Sequence, residues 1–150
     1  MLQFLFGHRR FPVGLFAGLT VVVAFAGCSP KDPIGKRVKV EGVVSVDGNP
    51  LPNGSLSFRA LEDKGNTQKH EPYAIIEADG RYRIYTLGKE GCAPGWYRVV
   101  VESTVPLPEG KMGNTESRID QKYNDAKRSD IDIEVVEKPA PGQYDIKLKK

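Results

Sequence analysis

Tyr73-Ala74-Ile75-Ile76-Glu77-Ala78-Asp79-Gly80-Arg81-Tyr82-Arg83-Ile84-Tyr85-Thr86 reads as two strands joined by a tight turn. β-Branched and aromatic residues alternate with polar ones on both sides of Ala78-Asp79-Gly80, the period of a half-buried strand. The register follows from the turn. A two-residue Asp79-Gly80 loop would set Glu77 opposite Tyr82 and mix the two faces. A three-residue loop with Gly80 left-handed sets Glu77 opposite Arg81, Ile76 opposite Tyr82 and Ala74 opposite Ile84. That choice keeps apolar with apolar and joins opposite charges.

The same period recurs on both sides of this hairpin. From Lys36, Val38, Val40, Val44 and Val46 share a face while Arg37, Lys39, Glu41 and Ser45 share the other, and Gly42 interrupts the row as a bulge or close approach. Asp47 to Gly54 is dense in turn formers, and Leu56, Phe58 and Ala60 then point inward. Leu61 to Glu71 reads as a mobile polar loop. After Ala93-Pro94-Gly95, Tyr97, Val99 and Val101 face the core, with Trp96, Arg98, Val100 and Glu102 outward. Thr104 to Asn124 lacks a sustained period and carries Pro106, Pro108, Gly110 and Gly113, so a long crossing loop is expected, pinned at its end by Tyr123. Ser129–Val136 and Gln143–Lys149 are expected to close a terminal hairpin. In it Ile131, Ile133 and Val135 face Tyr144, Ile146 and Leu148, with Asp132 against Lys147 and Asp130 against Lys149. No segment has a helical stripe. Seven short strands at this spacing predict an all-β sandwich over 36–150, about 115 residues and large enough to fold without disulfides.

The segment before this body is different. Arg9 and Arg10 precede an uncharged apolar run from Phe11 to Gly27, followed by Cys28. A basic start, an apolar stretch and small residues at its end describe an export signal over 1–27. The flanks of the arginine pair, His8 and Phe11-Pro12, lack the polar spacing of twin-arginine export. Phe25-Ala26-Gly27-Cys28 resembles the lipobox of bacterial lipoproteins, with Phe25 where leucine is usual. The resemblance implies a diacylglycerol thioether on Cys28, which becomes the mature N-terminus, and Ser29 in place of aspartate favours the outer membrane or cell surface over retention at the inner one. An uncleaved signal anchor and a cleaved, unlipidated signal are the alternatives. Residues 28–35, Pro-rich and polar, form the tether.

Within the body, Val44-Ser45-Val46-Asp47-Gly48-Asn49-Pro50-Leu51-Pro52-Asn53-Gly54-Ser55-Leu56-Ser57-Phe58, Asp79-Gly80-Arg81-Tyr82 and Ala93-Pro94-Gly95-Trp96-Tyr97-Arg98-Val99-Val100-Val101 resemble the opening strands, middle hairpin and Pro-Gly-x-Tyr strand of carboxypeptidase regulatory-like domains. Lys122-Tyr123-Asn124 and the acidic strand after it resemble a bacterial lipoprotein version. The resemblance implies a Greek-key, transthyretin-like sandwich. These motifs are turn and core residues, so they speak to fold more than to function.

Composition narrows the function. The chain of 150 residues has a net charge of +3, and all of it sits in residues 1–31, leaving 19 bases against 19 acids. A neutral body is not a nucleic-acid binder. The transthyretin-like fold includes hydroxyisourate hydrolases, which use several histidines and a C-terminal Tyr-Arg-Gly-Ser. This chain ends Ile146-Lys147-Leu148-Lys149-Lys150, and His70 in a polar loop is the body's one histidine. Asp125, Asp130, Asp132 and Glu134 evoke calcium, but the last three spread over about 13 Å of one strand face rather than converging. An isopeptide bond from Lys36 lacks an inward partner, since Asp145 has outward parity. Cys92 is a free thiol once Cys28 is lipidated. Asn53-Gly54-Ser55 fits a glycosylation sequon and is read as turn chemistry.

The expected protein is therefore a non-catalytic, lipid-anchored β-sandwich of the cell envelope, with a structural or interaction role. It needs no cofactor or metal, is held on the membrane through Cys28, and meets an envelope protein or a glycan. Trp96 and Arg98, on an outer face, are the candidate ligand contacts. The competing readings are a carbohydrate-binding module using Trp96, Tyr85 and Tyr73, and a small hydrolase.

Overall fold

A computed structural model describes residues 32–106 and 115–150. The export segment 1–27, Cys28 and the first tether residues lie outside them.

The described chain is all-β, with no helix of seven or more residues. In order, the strands are β1 (Glu41–Val46), β2 (Asn49–Pro50), β3 (Gly54–Ala60), β4 (Tyr73–Ile76), β5 (Arg81–Arg83), β6 (Tyr85–Thr86), β7 (Lys89–Glu90), β8 (Gly95–Glu102), β9 (Thr104–Pro106), β10 (Thr115–Ser117), β11 (Asp132–Val135) and β12 (Ile146–Leu148). Short 3-10 turns occupy Glu62–Lys64 and Gln121–Asn124. Seven strands form one path, β11-β8-β3-β4-β5-β1-β12, antiparallel except for its last pair.

The β4–β5 hairpin has the expected register. Ile76 lies opposite Tyr82, the Glu77 amide donates to the Arg81 carbonyl, and Gly80 is left-handed at φ 82°. β1 is the joint of the sheet. Its first half pairs β5 through Glu41, Gly42 and Val43, and its second half pairs β12 through Val44, Ser45 and Val46. Gly42 explains how the segment before β12 packs so closely on β1. A Cβ there would meet the Tyr144 carbonyl oxygen at 2.5 Å, so only glycine lets that backbone approach. The Tyr82 hydroxyl donates to the same carbonyl at 2.6 Å.

One core results. Val40, Val44, Phe58, Ile84, Tyr97, Val99 and Val101 are fully shielded, and Tyr82 and Ile146 nearly so. Phe58 and Tyr97 pack with ring centroids 5.7 Å apart. Ile131 and Ile133 are half-buried at its margin.

Three expectations need correction. The last two strands do not pair. β11 runs antiparallel to β8, and β12 runs parallel to β1 at the other end of the path. Asp132 therefore faces Arg98 rather than Lys147, and Asp130 meets Lys122 at 2.8 Å rather than Lys149. The 104–124 stretch is not a plain loop, because β9 and β10 form a two-stranded ribbon with Glu116 opposite Val105. Residues 107–114 between them lie outside the described residues. The 61–71 segment is tied down by Asn66, which is 5% exposed and donates from Nδ2 to the Trp96 carbonyl at 2.8 Å. Tyr123, 3% exposed, does pin the end of the 104–124 stretch to the core.

Candidate functional site

Three surface places among the described residues are candidate sites. The first contains Trp96 and Arg98, both on the outward face of β8 and both half-buried. Cross-strand register carries Asp132 of β11 to Arg98. Arg98 donates from Nε and Nη2 to that carboxylate, and from Nη1 to the Ala126 carbonyl at 3.2 Å. Lys64 joins from the 3-10 turn, its Nζ 2.8 Å from Asp132 Oδ2 and 4.3 Å from the centroid of the Trp96 ring. The Arg98 guanidinium is the first cause that holds the Asp132 carboxyl below its ordinary value, and Asp132 in turn raises Arg98. The structure thus brings the two candidate ligand contacts together and engages both. One ring face of Trp96 is a seat for an ammonium group rather than an open platform.

The second place is a groove of about 490 Å³ on the outer face of β3, β4 and β8. Strand register builds it in rows. Val100, Ser57, Tyr73 and Tyr85 align across β8, β3, β4 and β6, and Glu102, Ser55 and Ile75 form the next row. Serines on the central strand make a low floor. Tyr73, 49% exposed, stands as one wall and Asn124–Ala126 as the other. The Arg59–Glu71 ion pair lines it, and Glu102 adds a further carboxylate. Period-two parity already placed Tyr73 outward. What parity could not supply was the wall from Asn124–Ala126, which comes from a segment remote in sequence.

The third place is where the chain enters the body. The Asp32 carboxylate accepts from the Ile34 amide at 3.0 Å, from Arg37 Nε and Nη2 at 3.1 and 3.0 Å, and from Lys89 Nζ at 3.1 Å. Arg37 Nη1 reaches on to the carbonyls of Thr86 and Gly91. The hydrogen bond from Arg37 is the first cause that pulls the Asp32 carboxyl far below the ordinary carboxylate range. This clamp had no signal in strand period, because it joins the tether to a hairpin fifty residues away.

The remaining candidates are placed apart from one another. His70 is exposed in its loop. Cys92 is fully buried, its backbone bridged in both directions to Val38, and burial pushes its thiol up to about 12. A thiol so placed stays protonated at neutral pH and is shielded from solvent. Lys36 meets Glu137 on the surface, and Asp145 accepts from the Val43 amide at 3.0 Å. Asn53 is engaged in the turn, its carbonyl and side chain both accepting from Ser103 Oγ.

Comparison with family models, curated proteins and solved structures returns no match to this chain.

Proposed function

We propose that this chain is an exported lipoprotein, held by acylated Cys28 on the outer membrane or cell surface, whose body is a transthyretin-like, carboxypeptidase regulatory-like sandwich. Its role is non-catalytic: it presents a rigid β surface to an envelope partner. The observation that carries this reading is the Asp32 clamp. The Asp32 carboxylate is already locked to Arg37 and Lys89, so only residues 29–31 separate the lipid-bearing position from a folded β body. Such a layout suits a module displayed at a surface. A Greek-key sandwich is supported by the one-layer core shared between β1, β3, β8 and β12 and by the turn and strand motifs already quoted. A non-catalytic role is supported by the exposure of His70 in its loop and by the burial of the Cys92 thiol.

The test is processing. In a lipoprotein-competent bacterium the mature protein should take up a fatty-acid analogue and carry a modified Cys28, and Cys28→Ala should leave an unlabelled, unprocessed precursor. An unmodified Cys28 on the mature wild type would sink the lipoprotein reading.

A second reading, glycan capture, is favoured by the Tyr73 groove: an exposed ring beside a hydroxyl-lined floor suits a sugar's apolar face and its hydroxyls. On a glycan array, binding lost in Tyr73→Ala and kept in Trp96→Ala assigns it to this groove. Binding lost only in Trp96→Ala assigns it to the Arg98 cluster instead.

A further inference from the structure

The turn between β6 and β7 consists of Leu87 and Gly88, with φ of 51° and 72°. Two successive positive φ values make the tight hairpin turn that glycine, asparagine and aspartate favour. The β1–β2 turn obeys this preference with Asp47 and Gly48. The β6–β7 turn does not. It holds a leucine in the left-handed region and leaves that side chain 52% exposed. A strained, exposed apolar residue at a hairpin tip has no role in this core.

Its location supplies one. Lys89, the next residue of the hairpin, donates to Asp32, and Arg37 ties Asp32 to the carbonyls of Thr86 and Gly91. The Leu87–Gly88 tip therefore flanks the point where the tether enters the body. Four residues of chain from Cys28 to Asp32 extend no more than about 14 Å.

We propose that Leu87 and Gly88 rest in the phospholipid interface of the leaflet that holds the Cys28 lipid, fixing the orientation of the body on the membrane. This rests on the lipoprotein reading above. The bilayer is the occupant because a tether that short keeps the tip at the lipid surface. A contact too weak to recruit a free protein then acts at high effective concentration. The charges agree. Lys89, beside the tip, is 66% exposed in its side chain while meeting Asp32, and Lys31 lies within the tether; side chains of this length reach headgroup phosphates. β5 and β6 run away from the Ala78–Gly80 turn over six residues, so that turn lies about 20 Å along the strands from the tip and away from the lipid.

The test uses the lipidated protein in vesicles of phosphatidylethanolamine and phosphatidylglycerol, in a Trp96→Phe background that removes the one native tryptophan. Leu87→Trp should shift to the blue and be quenched by brominated lipids, and Asp79→Trp should not. Because tryptophan strains this turn further, Leu87→Asn gives an independent reading. It should raise the melting temperature, since asparagine suits the turn, and abolish vesicle-induced protection of the Gly88 and Lys89 amides from hydrogen exchange. Protein that floats with vesicles but leaves Leu87→Trp unquenched, or leaves those amides unprotected in the wild type, overturns the docking alone. Protein that carries no lipid and does not float overturns the anchor, and the docking with it. A concentration-dependent blue shift without vesicles would show that a second copy covers the tip, and would overturn the proposal too.

Discussion

At the scale of single residues, a few positions decide whether the sheet and its core can pack. Gly42 is one, because its missing Cβ is the space that the Tyr144 carbonyl fills. Gly42→Ala should destabilise the domain by about 1–3 kcal/mol, since backbone rather than a flexible side chain must move. Urea unfolding checks this, and an unchanged midpoint would mean that β1 and Tyr144 are not held so tightly. Phe58 and Tyr97 are the other kind of decisive position. Both are fully shielded, and truncation of either to alanine should cost about 3–5 kcal/mol, a large share of a small domain's stability. Most inward residues were legible in the sequence because parity fixes the face, but Val100, of outward parity, is only 7% exposed, and Ile131 and Ile133, of inward parity, are half-buried. The strain at Leu87 was not legible, because a leucine before a glycine gives no sign of a left-handed turn.

At the scale of elements, the hairpin β4–β5 and the pairing of β11 show what a sequence can specify. The hairpin is local. Its turn residues, its charges and its apolar rows agree on one register, and no distant strand can compete. β11 has the same clear alternation, but period two names the face of a strand and not its neighbour. An aspartate at 132 suits Lys147 as well as Arg98, and only the sheet order selects between them. The two pairings have different consequences. Asp132→Lys should set a third cation beside Arg98 and Lys64 and cost about 1.5–3 kcal/mol, the range for hydrogen bonds to charged groups. Lys147→Asp, on an exposed position opposite Ser45, should stay within about 0.5 kcal/mol. Chemical denaturation of the two variants checks this, and equal losses would restore the terminal hairpin. The Tyr73 groove was half legible for the same reason: its strand residues follow from parity, and its Asn124–Ala126 wall does not.

At the scale of the whole molecule, the buried acids set an alkaline limit. Burial raises the Cys92 thiol from 9.0 to about 12 and the Tyr97 hydroxyl from 10.0 to about 12, and lifts Tyr82 further. The unfolded chain then releases these protons at lower pH than the native one. Their contribution to stability is full below about pH 9 and is lost as pH rises toward 12. Thermal melts across that window should show a steady decline, and Cys92→Ala should move its onset up toward 10, where the tyrosines begin. A flat profile would mean that these groups are less enclosed than their packing indicates.

The parallel pairing of β1 with β12 also sets the order of events as the chain emerges. Val44 meets Ile146, and the Val43 amide meets the Asp145 carboxylate across 102 positions of sequence. Contacts so remote raise the contact order and slow folding. The joint strand of the sheet keeps one free edge until β12 has been made, so the sheet stays open along β1 until Ile146–Leu148 are in place. The pairing also makes β12 the element on which completion of the sheet depends. A chain cut before Ile146 should expose the β1 edge and aggregate or be degraded, although almost every other strand is present.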